Sequence, residues 1–162
     1  MLRISKLTDY ATVVLGVLAE DAQQPHSAAQ LAERSRIALP TVSKVLKELQ
    51  RGGLVVSTRG ARGGYQLSRS AEDISAVDII DTIEGPIGLT ECSTHPGSCD
   101  LEHTCRTGNA WQRVNLAIRG ALQEVSLTEL VGGPATKREV VDLAQALRSG
   151  TLRVQASTGY SR

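Results

Sequence analysis

The sequence predicts a mainly α-helical fold carrying one small β-hairpin, and three observations support it. The chain of 162 residues is 41% hydrophobic, yet it has no Phe, one Trp and three Tyr. Its core must therefore rest on Leu, Val, Ile and Ala, which suits packed helices better than a sheet sandwich. Apolar residues recur at helical spacing along most of the chain, and the period changes to two only across residues 54–67, either side of a Gly-rich turn. Helix, short turn, helix and then a basic-tipped hairpin is the layout of a winged helix-turn-helix, here with a long helix towards the C-terminus. This length supports one modest core with an extended appendage.

The first helix is expected over residues 5–20. Leu7, Ala11, Val14, Leu15 and Leu18 mark one face, and Tyr10, Val13 and Val17 mark a second. A helix apolar on two sides lies between two neighbours, one of which could belong to another chain. Ser27-Ala28-Ala29-Gln30 is a capping box opening the second helix, with Ala28, Leu31 and Ala32 inward. After a turn at residues 36–39, Pro40 suits the first helical position of the third helix, 40–51. Val42, Val45, Leu46 and Leu49 form its inner stripe, and Gly52-Gly53 ends it. Leu54 and Val56 are expected to alternate on one strand, and Tyr65 and Leu67 on the next. Between them lies the turn Thr58-Arg59-Gly60-Ala61-Arg62-Gly63-Gly64.

Ser75-Ala76-Val77-Asp78 opens another helix, which runs through Ile79, Ile80 and Ile83 to Gly85-Pro86. A cysteine-bearing loop follows. A long helix is expected over 108–125, with Trp111, Val114, Leu116, Ile118 and Leu122 distributed around it, and then a short one capped by Ser126 and Glu129. Val140, Val141, Leu143, Ala144 and Leu147 make a weakly amphipathic stretch before a polar tail expected to be poorly ordered. The chain therefore divides into a winged helix-turn-helix domain (1–69), a connecting helix with the cysteine loop (70–107), the long helix with its short successor (108–132) and a weakly structured tail (133–162).

The formal net charge of +1 conceals a segregation. Residues 1–69 hold ten Lys and Arg against five acids; residues 70–110 hold only Arg106 against eight acids; the remainder holds seven against four. A basic N-terminal part suits phosphate contacts, while the acidic middle would repel a duplex. A recognition helix needs short polar and basic side chains on its exposed face. Thr41, Ser43, Lys44, Lys47 and Arg51 supply them. Arg59 and Arg62, on a loop whose glycines permit close backbone approach, suit a narrow, negative minor groove. Each piece alone could be a solvated helix face or a flexible turn; their order and lengths together favour double-stranded DNA as the partner. No apolar run of about 18 residues offers a membrane span, and Met1-Leu2-Arg3 leads into a helical pattern without the layout of a signal peptide, so the cytoplasm is expected. The chain offers no Ser/His/Asp grouping, phosphate-binding loop or nucleotide fingerprint, so an enzyme is not expected.

Cys92, Cys99 and Cys105 are the chain's three cysteines, spaced Cys-x6-Cys-x5-Cys. An odd number of closely spaced thiols forms no closed disulfide framework. Zinc sites favour tight Cys-x2-Cys knuckles, and none occurs here, whereas wider spacing on a loop lets three sulfurs wrap an iron–sulfur cluster. At least one further ligand is needed, for which His95, His103, Glu91, Asp100 and Glu102 are nearby. The competing reading is three free or redox-active thiols, although a polar acidic loop gives no apolar burial to account for them. Acidic surroundings are also expected to raise thiol pKa, against a peroxide-sensing thiolate.

The opening MLRISKLTDYA, the stretch LAERSRIALPTVSKVLKELQRGGLV, the RGARGGYQLSR wing, DIIDTIEGP and the three-cysteine loop together resemble the winged-helix iron–sulfur transcriptional regulators of the IscR and NsrR type, over about residues 1–132. Within that group the chain looks like the regulator of the SUF iron–sulfur assembly operon, where LTEC and a wide cysteine loop recur. The resemblance implies a homodimer joined through the long helix, and a two-iron or four-iron cluster whose occupancy changes DNA affinity or site choice. IscR-like members carry a ligating histidine three residues after the third cysteine. Gly108 stands there in this chain, and the first gap between cysteines is one residue longer, so that ligand set is unsupported. In NsrR-like members an aspartate on the first helix of the partner subunit completes the cluster; Asp9 in LTDYA matches it, with His103 the alternative. The resulting expectation is a repressor of iron–sulfur assembly genes. A nitric-oxide- or redox-sensing repressor of the same family, or a zinc or thiol interaction protein without a cluster, are the alternatives.

Overall fold

Four serines start helices in the same way. Ser5, Ser27, Ser75 and Ser126 sit in extended backbone, and each hydroxyl accepts the N–H three residues on. At Ser27, Ser75 and Ser126 the third residue of the helix returns a bond to the capping residue's own N–H, completing capping boxes with Gln30, Asp78 and Glu129. The structure is a computed structural model that describes residues 3–60, 62–90, 105 and 107–133. Its elements are α1 (Lys6–Glu20), α2 (Ala28–Ser35), α3 (Leu39–Arg51), β1 (Val55–Thr58), β2 (Gly64–Leu67), α4 (Ala76–Glu84), α5 (Gly108–Gln123) and α6 (Leu127–Leu130). Most of the cysteine loop, the weakly amphipathic stretch and the tail expected after residue 133 lie outside the described residues.

α1 is the central element, packed by α2, α3, α4, α6 and β2. Ala11, Val14, Leu15 and Leu18 are buried on it, facing Leu31 of α2 and the Val42, Val45, Leu46 and Leu49 stripe of α3. Each of these valines and leucines removed from water contributes roughly 1.5–3 kcal/mol before entropy is counted. Of its expected second face, Val17 is buried, whereas Val13 is exposed. Arg36 adopts the left-handed conformation (φ 57°) in the turn that redirects the chain from α2 to α3.

β1 and β2 pair antiparallel, Val55 opposite Leu67 and Thr58 opposite Gly64. The phase of β1 differs from the expected Leu54/Val56 alternation: Val55 is 1% exposed and Val56 47%. Leu54 precedes the strand, and its N–H bonds the Leu49 carbonyl at 2.9 Å, so its burial belongs to the end of α3. Within the strand only Val55 is buried, and Val56, Ser57 and Thr58 are all exposed.

α5 ends at Gln123, two residues before the expected limit. The chain leaves the helix there to pair with the segment before α4. Ala76 N–H bonds the Val125 carbonyl at 2.8 Å and Leu127 N–H bonds the Ile74 carbonyl at 2.7 Å, which sets two helix-capping serines, Ser75 and Ser126, side by side. Leu127 thereby reaches the main core. Val77, Ile80 and Ile87 form a second cluster against Leu122 that joins α4 to α5. Among the described residues no helix is long and apolar enough to cross a membrane.

Candidate nucleic-acid interface and cysteine segment

The buried stripe of α3 fixes which side chains face outward. Ser43, Lys44 and Lys47 are exposed and Thr41 is half-buried. Ala38 caps the helix without a side-chain bond, and Pro40 occupies its start, so the N-terminal turn presents a short polar surface compatible with an approaching phosphate. Gln50 donates to the Ser57 hydroxyl at 2.9 Å, placing the exposed face of α3 alongside the first strand of the wing. Arg51, at the far end, is exposed but ion-pairs with Glu48 one turn back. It also lines a cleft with Arg69, Asp78, Asp81 and Thr82, away from the N-terminal half of the helix.

The wing tip requires its glycines. Gly60 has φ +115°, a Cβ on Gly63 would overlap the Thr58 carbonyl, and Gly63 N–H bonds the Gly60 carbonyl at 2.9 Å. Arg59 and Arg62 are carried exposed around this turn. The base of the wing is fixed to the domain by a backbone pair, His26 N–H to the Tyr65 carbonyl at 3.0 Å and Tyr65 N–H to the His26 carbonyl at 2.8 Å. His26 itself is buried, its Nε2 at 3.2 Å from the Asp21 carbonyl.

Asp9 is exposed in the first turn of α1. Its neighbour Thr8 is buried and donates to the Glu84 carboxylate on α4, which also accepts the Ser5 N–H at 2.9 Å. Cys105 is exposed just before α5. Its thiol pKa is lowered, first by the Thr107 hydroxyl at 3.4 Å and then by the N–H groups of Thr107 and Gly108. Donors in contact with this sulfur cause the lowering, while the loop carboxylates Glu91, Asp100 and Glu102, on which the opposite expectation rested, lie outside the described residues. A Cβ at Gly108 would lie 3.7 Å from Cys105 Sγ. A side chain at 108 would thus start beside the sulfur, and glycine offers no ligand there. Cys92 and Cys99, with Glu91, His95, Asp100, Glu102 and His103, lie outside the described residues. Among the described residues no group of three or more His, Cys, Asp or Glu is gathered around a common point.

Sequence reasoning missed a set of polar residues on α4 and α5. Arg119 gives both guanidinium nitrogens to Asp81, at 3.1 and 2.7 Å. Asn115 is 4% exposed, donates to the Ile87 carbonyl and accepts the Leu89 N–H, each at 3.3 Å. The available signal was that Asn115 falls at helical spacing between Trp111 and Leu122, on the face where Leu122 packs.

A buried three-helix core with an exposed basic helix and an arginine-bearing wing defines a winged-helix DNA-binding transcriptional regulator. A model of the Rrf2 family, described as iron-dependent transcriptional regulators, matches residues 4–133, and the chain belongs to that family. The HTH-type transcriptional regulator IscR of Photorhabdus laumondii is 31% identical over 144 residues, covering 88% of this chain and 85% of the relative. Among solved structures, CymR, the global cysteine regulator of B. subtilis, is similar at 29% identity with a TM-score of 0.61, over 81% of this chain and 97% of CymR. IscR of T. potens is similar at 28% identity and 0.58, over 80% and 86%. These relatives are regulators, and this chain is a transcriptional regulator rather than an enzyme.

Proposed function

We propose that this regulator is a cytoplasmic homodimeric repressor of iron–sulfur assembly genes, and that Cys92, Cys99 and Cys105 hold an iron–sulfur cluster through which it senses. The observation that carries the reading is the gathering of Cys92, Cys99 and Cys105 within fourteen residues, the last of them exposed immediately before α5, where no apolar packing accounts for it. Asp9 of the partner subunit is the proposed fourth ligand, since Gly108 supplies none. Trp111, Val114 and Leu116, all exposed on α5, support this helix as the dimer contact.

When bound, the cluster would supply a redox- and oxygen-sensitive centre. The chain's own residues do the DNA work. Lys44, Lys47, Arg59 and Arg62 neutralise phosphates or enter the minor groove, while Thr41 and Ser43 reach base edges from the start of α3.

Visible absorption of anaerobically purified protein tests the reading. A coloured preparation, bleached when Cys92, Cys99 or Cys105 is replaced by Ala, is expected. A colourless protein with stoichiometric zinc would count against it. Because Cys105 is exposed with a depressed pKa, a colourless, metal-free protein whose DNA binding responds to peroxide would instead favour the redox-sensing alternative.

A further inference from the structure

Within the nine residues of α4, four side chains engage four different parts of the molecule. Asp78 accepts from Arg69, after the wing, at 2.8 Å. Asp81 holds both terminal nitrogens of Arg119 on α5 and also accepts the Ile87 N–H at 3.2 Å. Thr82 fills the space beside Gly52, which ends α3, so closely that a Cβ on Gly52 would overlap its side chain. Glu84 takes the Ser5 N–H and the Thr8 hydroxyl at the start of α1.

The chain leaving α4 is gripped from the other side. Asn115 holds the backbone at Ile87 and Leu89, just ahead of Cys92 in sequence, and Cys105 stands immediately before α5. The backbone leading towards the cysteine run is therefore tied to α5 at Ile87 and Leu89, Cys105 stands directly before that helix, and α5 is tied to α4 through Arg119 and Asp81. A bidentate guanidinium–carboxylate pair fixes orientation as well as distance. Its neighbour Thr82 sits directly against Gly52 at the end of the recognition helix, on the wall of the cleft lined by Arg51 and Asp78, so a shift of α4 towards α3 meets that helix end at once.

We infer that Asp81 is the positioning residue through which the cysteine run acts on the DNA-binding half. It clamps α5 and the backbone entering the run onto α4, and α4 delivers any shift of α5 to the end of α3 through Thr82 and Gly52. The inference rests on the reading that the cysteines hold a cluster whose occupancy changes DNA affinity. The ion pair is about one-third exposed on each side chain (32% and 28%), and pairs so open to water add little to stability. Its loss therefore reads out in coupling rather than in folding.

The test uses Asp81→Asn and Arg119→Gln in the full chain, purified anaerobically. Visible spectrum, thermal midpoint and affinity for a duplex selected from a random pool by the parent are measured with the cluster in place and after its removal by chelation. The parent's two affinities should differ by roughly 5- to 150-fold, the ordinary range of allosteric coupling. In both variants the spectrum and the cluster-free affinity should match the parent, while that difference falls below about twofold. Arg119→Lys, which keeps the charge and loses the paired donors, should fall between them, and it decides the matter with Arg119→Gln if Asp81→Asn fails to fold. Variants that retain the parent's difference in affinity overturn the inference and leave the cluster reading intact. A parent that is colourless, or that binds DNA equally in both forms, overturns the functional reading and this inference with it.

Discussion

Glu84 accepts a hydrogen bond from the hydroxyl of Thr8, 76 positions earlier in the chain, and so pins the start of the central helix to the end of α4. That bond first, and the Ser5 N–H second, hold the Glu84 carboxyl below its ordinary 4.5. A carboxylate whose folded pKa is depressed contributes stability that is fully present above the unfolded value and is lost as pH falls through the folded one. Glu84→Gln should therefore lower the melting temperature at neutral pH, with the gap to the parent closing once pH drops below about 4.5. Thermal unfolding followed by circular dichroism from pH 7 to 3 checks this, and a gap of constant size across that range would refute it.

Gly64 approaches the backbone of His26 so closely that a Cβ would lie 2.7 Å from its carbonyl carbon and oxygen. Backbone cannot move aside as a side-chain tip can. Gly64→Ala should cost about 1–3 kcal/mol, the usual penalty of overpacking. It should also weaken DNA binding, because the His26–Tyr65 pair that fixes the wing is forced apart. Chemical denaturation and a binding titration on one preparation measure both; a variant as stable as the parent would show that this contact has slack.

What the sequence disclosed was what is local. The capping boxes at Ser27, Ser75 and Ser126 lie within four residues each, and the inner stripe of α3 repeats at helical spacing, so both could be read directly. The phase of β1 could not, because Leu54 is claimed by the end of α3 through a bond that no alternation pattern records. Asp81 and Arg119 are 38 residues apart, as are many acid–base pairs that never meet; the packing of Leu122 against the Val77, Ile80 and Ile87 cluster and the bond from Ala76 to the Val125 carbonyl bring their helices together. Cys105 shows the same division within the candidate site. Its place in a three-thiol run was visible, while its depressed pKa depends on donors aimed at the sulfur from the start of α5. The outward residues of α3 were legible because a buried stripe defines its opposite face, and those of the wing because a Gly-rich turn carries them.

Leu127 tests whether the short α6 is part of the core or a surface appendage. It is fully buried, in a helix of only four residues, and its N–H is bonded to Ile74. Leu127→Ala should cost about 2–5 kcal/mol, as large-to-small changes in a closed core do. A loss below about 1 kcal/mol in urea denaturation would mean that the α6 region can collapse around the gap or is only loosely docked.

On the proposed DNA face, residues that would read sequence can be separated by experiment from residues that would hold phosphate. Arg59→Ala and Arg62→Ala should each weaken binding to all duplexes, and reduce the slope of log affinity against log salt by roughly one unit per lost contact. Thr41→Ala or Ser43→Ala should change which duplexes are selected from a random pool, with a smaller effect on that slope. Lys44→Ala and Lys47→Ala should behave as the arginines do. Arg51→Ala should do least, since its guanidinium is engaged with Glu48. If Arg51 alone proves important, the duplex approaches the opposite end of α3.

Asp9 discriminates most sharply between ligand sets. It is exposed, and it sits in the first turn of a helix whose start is held by Ser5, Thr8 and Glu84. The carboxylate is therefore carried on a fixed platform, open to whatever faces it in a dimer. An acid there also meets the positive end of the helix dipole, an interaction worth under about 1 kcal/mol, so its removal should leave folding almost untouched. If Asp9 of one subunit ligates the cluster of the other, Asp9→Ala should alter the visible spectrum or shorten the cluster's lifetime in air, with dimerisation by light scattering unchanged. Asp9→Glu, which keeps the carboxylate, should recover part of the parent spectrum. His103→Ala is the opposing arm. Were it to change the spectrum while Asp9→Ala did not, the fourth ligand would belong to the cysteine run itself and the cross-subunit arrangement would fail.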